Sequence, residues 1–175
     1  VSCTDLGTQL KLMGKIKEGM AKYAEAIRIN PNYAPAYYNI AVVYSESRNY
    51  DEAVKFYKMA IDRNPNYIEA YCNIGVIYKN AGRLELAIQF YQKALSLDPN
   101  FLIAKNNLAI ALTDMGTHVK NQGNAKVGIQ YYKKALVYNV QYADAYYNLG
   151  VAYGEQSRFD RAIFYYQLAI FANPV

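Results

Sequence analysis

The stretch APAYYNIAVVYSES (34–47) returns as ADAYYNLGVAYGEQ (143–156) in a chain of 175 residues. Two such runs mark a unit copied along the chain, so internal repeats are the first thing to seek. Sliding the chain on itself until Tyr37-Tyr38-Asn39 meets Tyr71-Cys72-Asn73 also brings Pro31 onto Pro65 and Pro65 onto Pro99. In the third copy Tyr71, Ile74, Gly75 and Tyr78 fall at i, i+3, i+4 and i+7, one face of a helix. Ala87, Tyr91 and Ala94 fall at i, i+4 and i+7 on a second helix. Between them Asn80-Ala81-Gly82-Arg83 supplies a turn, with glycine near the end of the first helix. Pro99 then stops the second. The small residues let two helices approach, and the tyrosine fills the space that remains.

A period of 34 read as Y-x2-I/L-G/A-x2-Y, then A-x3-Y, then P, is the tetratricopeptide pattern, with Tyr in the usual Trp place. It predicts an all-α solenoid of helix-turn-helix units, a single array over residues 1–175. Five units can be placed: 1–33, 34–67, 68–101, 102–142 and 143–175. The two opening stretches are then the same helix in units two and five. The fourth unit is seven residues longer than the second and third, and the extra residues fall in TDMGTHVKNQGN (113–124). Such an insertion is nearly two helical turns, adds ~10 Å of helix and rotates the downstream chain by only ~20°. It predicts a longer hairpin protruding between Leu112 and Ile129, with His118, the one histidine, exposed on it.

Units one and four depart most from the pattern. They carry Gly19 and Gly128 where the others have Ala53, Ala87 and Ala162. Glycine in a helix interior costs ~1 kcal/mol against alanine. Unit one has Cys3 and Leu10, and unit four Lys105 and Leu112, at aromatic positions; Val140 replaces the proline. Both units are therefore expected to be the less stable ones.

Composition agrees with a repeat protein: 53% hydrophobic, 19% charged, 20 Tyr and no Trp. No apolar run approaches the ~18 residues of a membrane helix. No basic segment followed by an apolar one opens the chain as a signal peptide would. A start at VSCTDLG without Met and an end at ANPV read as an excised fragment. Cys3 and Cys72 are expected to be packing residues, since no CxxC or Cys/His cluster suggests a metal or a disulfide; a reducing compartment fits. The net charge is +5, but the basic residues (among them Lys55, Lys58, Arg63, Lys93, Lys133 and Lys134) are scattered over second helices. A solvated face is the reading, not a nucleic-acid site. There is no GxGxxG, P-loop, HExxH or nucleophile beside a base. The paired acids Asp51-Glu52 open a second helix, where the dipole favours them.

Asn39, Asn73, Asn107 and Asn148 occupy one place in four successive units, and unit one has Asp5 there. First helices line the inner wall of such a solenoid, and neighbours pack about 8–10 Å apart. An extended peptide rises ~3.3 Å per residue, so one asparagine would meet a ligand about every third residue. A carboxamide both donates and accepts, so it can hold a backbone whatever the ligand's side chains. Bonds between neighbouring helices are the other reading of the same spacing. Beside the asparagines lie Tyr38, Cys72, Asn106 and Tyr147, and then Val42, Val76, Ile110 and Val151. This wall lacks the inward Lys and Arg set that grips an acidic chaperone tail.

YAPAYYNIAVVYSE, EAYCNIGVIYKNAG, KNNLAIALTDMGTHVKNQGN and YADAYYNLGVAYGE together resemble, over nearly the whole chain, the repeat region of plant nucleocytoplasmic protein O-glycosyltransferases. That family is related to O-linked N-acetylglucosamine transferase. The inserted fourth unit is the most specific part of the likeness. The resemblance implies a right-handed superhelix ahead of a C-terminal catalytic region. It implies that inward asparagines, here Asn39, Asn73, Asn107 and Asn148, hold the backbone of Ser/Thr-containing protein substrates, with Asp5 departing from the row. It implies a parent enzyme in cytoplasm and nucleus that uses GDP-fucose or UDP-N-acetylglucosamine and restrains gibberellin signalling. This chain itself would carry no cofactor and catalyse nothing. The partners expected are protein segments, neither nucleic acid nor membrane, and a second copy of the repeats. The alternative is a non-enzymatic scaffold.

Overall fold

A computed structural model describes residues 2–173. Among them are ten α-helices and no strand: α1 (Cys3–Leu12), α2 (Ile16–Ile29), α3 (Ala34–Glu46), α4 (Tyr50–Arg63), α5 (Ile68–Asn80), α6 (Leu84–Leu97), α7 (Leu102–Asn121), α8 (Ala125–Tyr138), α9 (Ala143–Glu155) and α10 (Phe159–Ala172). Contacts divide the chain into two compact units, Val1–Ile77 and Tyr78–Val175, so the boundary falls inside α5.

Two kinds of turn alternate, each with its own chemistry. Every first helix ends on a left-handed residue: Gly14, Arg48, Gly82, Gly123 or Ser157, with φ between 58° and 92°. The next backbone N–H then reaches back five residues, as in Lys15 to Leu10 and Arg158 to Tyr153, both 2.9 Å. This closure satisfies carbonyls that the helix end leaves open. Every second helix up to α8 ends instead on an extended Asn or Asp whose side chain accepts from the N–H two residues on. The bonds are Asn30 from Asn32 (3.0 Å), Asn64 from Asn66 (3.1 Å), Asp98 from Asn100 (2.8 Å) and Asn139 from Gln141 (2.9 Å). Val140 stands in the proline place of the last of these, yet the turn forms, because the side-chain oxygen of Asn139 dictates it.

The first unit packs α1 against α2 and α3 against α4 around two buried tyrosines, Tyr23 and Tyr57. Ile40 and Val43 of α3 close over Tyr23, with Met20 and Ile27 beside them. The rim is fastened at Pro31, whose carbonyl accepts from the Tyr37 hydroxyl at 3.0 Å and from Arg63 Nε at 3.3 Å. The Arg63 guanidinium lies 4.3 Å over the Tyr37 ring.

The second unit is built around Tyr91 and Tyr132, both fully buried. Tyr132 lies in one cluster with Ile129, Leu149, Ala152, Tyr153 and Ala162. Here the seven extra residues lengthen one helix and not its partner: α7 has 20 residues where α3, α5 and α9 have 13, while α8 has 14 like α6 and α10. The expected protruding hairpin is thus a single long helix, and its length is spent on contacts with α6, α8 and α9. Lys120, near its end, pairs with Glu155 of α9 at 2.8 Å. His118 is exposed on it.

Glycine has a different meaning in α2 and α8 from the one its helix propensity suggests. A Cβ on Gly19 would lie 2.7 Å from the Gly7 carbonyl oxygen, and one on Gly128 would lie 2.7 Å from that of Gly116. The facing glycines are equally closed: a Cβ on Gly7 would meet the Tyr23 ring at 2.6 Å, and one on Gly116 the Tyr132 ring at 2.7 Å. In these two hairpins backbone approaches backbone, and glycine is the residue that permits it.

Candidate functional site

In the first unit Asn39 of α3 and Asn73 of α5 are both half-buried. The Asn73 side-chain amide donates to the Tyr38 hydroxyl at 3.1 Å and to the Tyr57 hydroxyl at 3.2 Å. Its two hydrogens are thereby engaged, and its carbonyl oxygen is the atom that can accept from a ligand N–H. Tyr38 is central to an aromatic group, 5.5 Å from the Tyr57 ring and stacked on Tyr67 at 4.8 Å. Burial pushes all three phenols up from their ordinary value, Tyr67 to about 12, and the Asn73 bond only partly offsets this at Tyr38 and Tyr57. All three are neutral at physiological pH and can donate or accept. Cys72, placed by its spacing beside the asparagines on the inner wall, is instead 1% exposed and packs in the core.

In the second unit Asn107 of α7 and Asn148 of α9 are half-buried. Asn148 Nδ2 donates to the carbonyl of Asp144, one turn earlier, at 2.9 Å. Asn106 accepts from Asn139 Nδ2 at 3.1 Å and so ties α7 to the turn after α8. Tyr147 is 55% exposed. The four asparagines therefore share a sequence position but not a bonding pattern: Asn73 reaches between helices, and Asn148 folds onto its own.

Sequence reasoning missed Asp114. It lies on α7 seven residues after Asn107, two turns on and so on the same face. Its side chain is exposed at the surface, yet the partial loss of solvent around its carboxyl, opposed by Lys79 and helped by the charge of Asp144, raises it from its ordinary value. The Tyr142 hydroxyl donates to Asp144 Oδ2 at 3.2 Å, and burial together with that carboxylate holds the phenol well above its ordinary value. The signal was a second register: TDMGT (113–117) repeats TDLGT (4–8), at the same interval that separates Ala143 from Ala34. Counted back from α8, Asp114 takes the place that Asp5 takes counted back from α2. Asp5 itself caps α1, its carboxylate accepting from Ser2 N at 3.1 Å while the Ser2 hydroxyl accepts from Asp5 N at 3.2 Å.

These faces offer amides, phenols and a few carboxylates, which bind backbone and polar side chains. Among the described residues no group of three or more His, Cys, Asp or Glu is placed to hold a metal ion. No helix there is long and apolar enough to cross a membrane.

Known proteins share the repeat. Residues 34–67, 68–101 and 143–174 match the Tetratricopeptide repeat family, 7–47 match TPR repeat, and the long-helix hairpin matches Sel1 repeat over 103–136. A protein of Oryza sativa subsp. japonica named "Probable UDP-N-acetylglucosamine--peptide N-acetylglucosaminyltransferase SPINDLY" is 66% identical over 116 residues. These are 66% of this chain, less than the nearly complete coverage expected from the sequence, and 12% of that protein, so the chain spans about an eighth of its relative. Among solved structures, YrrB, a TPR protein with an unusual peptide-binding site, superposes with a TM-score of 0.70 at 22% identity, over 98% of this chain and 85% of its own. MamA superposes with a TM-score of 0.72 at 20% identity, over 97% and 89%. At such identities the two structures speak for the fold alone.

Proposed function

We propose that this chain, which belongs to the tetratricopeptide-repeat family, is the substrate-holding repeat region of a SPINDLY-like protein O-glycosyltransferase of cytoplasm and nucleus. The observation that carries this reading is the 66% identity over 116 residues with the rice SPINDLY protein. The ligand is an extended protein segment containing Ser or Thr. Asn39 and Asn73 hold its backbone in the first unit, and Asn107 and Asn148 in the second. Transfer itself belongs to the parent enzyme, with GDP-fucose or UDP-N-acetylglucosamine as sugar donor and gibberellin signalling as its setting. Two copies associate through their repeats.

The test uses a Ser/Thr-rich disordered peptide and the 175-residue chain. Replacing Asn39, Asn107 and Asn148 together by Ala should weaken binding at least about ten-fold, about 1.4 kcal/mol, with little loss of stability. Unchanged affinity would remove the asparagines from the binding face. With the full-length protein, transfer from neither sugar nucleotide to any bound protein would leave the scaffold reading in its place. A specific observation favours that second reading: the Asn73 amide hydrogens are already spent on Tyr38 and Tyr57.

A further inference from the structure

The basic residues are scattered along the sequence, but the fold gathers three of them in the second unit. Lys126 of α8, with Gln156 and Arg158 of the α9–α10 turn, lines one cavity of about 460 Å³ whose other walls are Ile129 and Tyr153. Arg161, in the first turn of α10, holds its guanidinium 5.5 Å over the ring of the same Tyr153. No carboxylate lines the cavity. Glu155, beside Gln156 in sequence, is committed to Lys120 at 2.8 Å. Among the described residues Lys126, Arg158 and Arg161 have no ion-pair partner.

The first unit contains a copy of this junction without the charge. The shift that brings α9–α10 onto α3–α4 brings Lys126 onto Lys17, Gln156 onto Ser47, Arg158 onto Asn49 and Arg161 onto Glu52. One cation and one carboxylate stand there in place of three cations. Both copies keep an aromatic pair beneath: Tyr44 stacks on Phe56 at 5.4 Å, and Tyr153 on Tyr165 at 5.4 Å. The α3–α4 hairpin therefore packs without these arginines, and like charges gathered at one place repel. Folding alone gives no reason for the cluster.

We propose that this cavity binds the phosphate group of a phosphorylated protein segment, carried on serine or threonine. Such a group bears about −1.5 to −2 charges at neutral pH, so it matches three cations better than a carboxylate does. Arg158 offers a planar fork for two phosphate oxygens, Lys126 a point charge and Gln156 a neutral amide donor. Arg161, held on Tyr153, adds the third charge. Single-stranded nucleic acid also presents phosphates, but its binding sites add open rings on which bases stack. Tyr153, the one aromatic residue lining the cavity, is 4% exposed. None of the four asparagines lines the cavity, so the site stands or falls independently of their role.

The test titrates the 175-residue chain with a Ser/Thr-rich peptide carrying one phosphoserine, and with the same peptide unphosphorylated. The phosphorylated form should bind at least about ten-fold tighter, and inorganic phosphate should displace it. Arg158→Asn with Arg161→Glu installs the residues that α3–α4 already carries at these places, so the hairpin keeps its packing while the preference disappears. Lys126→Gln, at an exposed side chain without an ion-pair partner, is the second variant and should reduce the preference about three-fold or more. Equal affinity for the two peptides would overturn the proposal. So would a preference that survives in Lys126→Gln, or in the folded double variant, at its full size. Binding of oligouridine or of anionic phospholipid vesicles, with the phosphopeptide unable to compete, would assign the cations to another ligand and overturn it equally.

Discussion

The Asn73 side chain donates to the Tyr57 hydroxyl across 3.2 Å, and the same nitrogen donates to Tyr38 at 3.1 Å. Asn73→Ala therefore takes one partner from the hydroxyl of buried Tyr57, which keeps Ser45, and one from the hydroxyl of half-buried Tyr38. A stability loss of about 1–3 kcal/mol is expected, as for other buried polar groups deprived of a partner. Asn148→Ala removes only a bond to its own helix, to Asp144, and should cost less than about 1 kcal/mol. Urea midpoints of the two variants compare them directly. Equal losses would mean that the inter-helix bonds of Asn73 add nothing to folding.

Gly19→Ala and Gly128→Ala should destabilise, although helix propensity alone gives a gain of about 1 kcal/mol for the change. Each new methyl would sit 2.7 Å from a backbone oxygen that no rotamer change can move aside. Overpacking of this kind costs about 1–3 kcal/mol. Thermal unfolding decides the sign, and a raised midpoint in either variant would show that the hairpins open at no cost. Hydrogen exchange over 5–30 against 70–95 separately tests whether unit one is the weaker.

Ser157 and Arg48 hold left-handed backbones, with φ of 58° and 61°, where three other units use glycine. A side chain in that region costs about 1–2 kcal/mol. Ser157→Gly should therefore stabilise the second unit by about 1 kcal/mol, less what glycine loses through its freer unfolded chain. A fall in the urea midpoint would contradict this.

Burial raises the phenols of Tyr38, Tyr57 and Tyr67 above 10.0, Tyr67 to about 12. The neutral form is the one the fold favours. This contribution to stability is therefore complete below pH 10 and is lost as pH climbs from 10 through 12. Unfolding midpoints should fall over that range, with tyrosinate absorbance rising together with unfolding. Tyr67→Phe should flatten the fall. An unchanged slope in that variant would place the alkaline loss elsewhere.

The second and third hairpins were legible because tyrosine and alanine recur at helical spacing, and that spacing needs no tertiary information. The extra length expected near 113–124 falls in α7 alone and not in both helices of a hairpin. Periodicity reports that a helix continues; it does not report whether the partner helix lengthens with it. Asp114 escaped notice because only one register was counted through α7, whose two halves follow two registers. Cys72, expected to pack, does so more completely than its place beside the asparagines suggested, because a face read from spacing is about 100° wide and its edge is set by how the next helix leans on it.

The sequence by itself determined the repeat, the helix ends and the turns. These are local matters of backbone preference and of side chains within two to five residues of each other. Tertiary structure alone decided that Gly19 and Gly128 are required by close backbone approach and that Asn73 is spent between two tyrosines. In each case the deciding atom comes from a different helix, at a distance of about 3 Å, to which hydrogen bonding and steric repulsion respond steeply and sequence spacing does not.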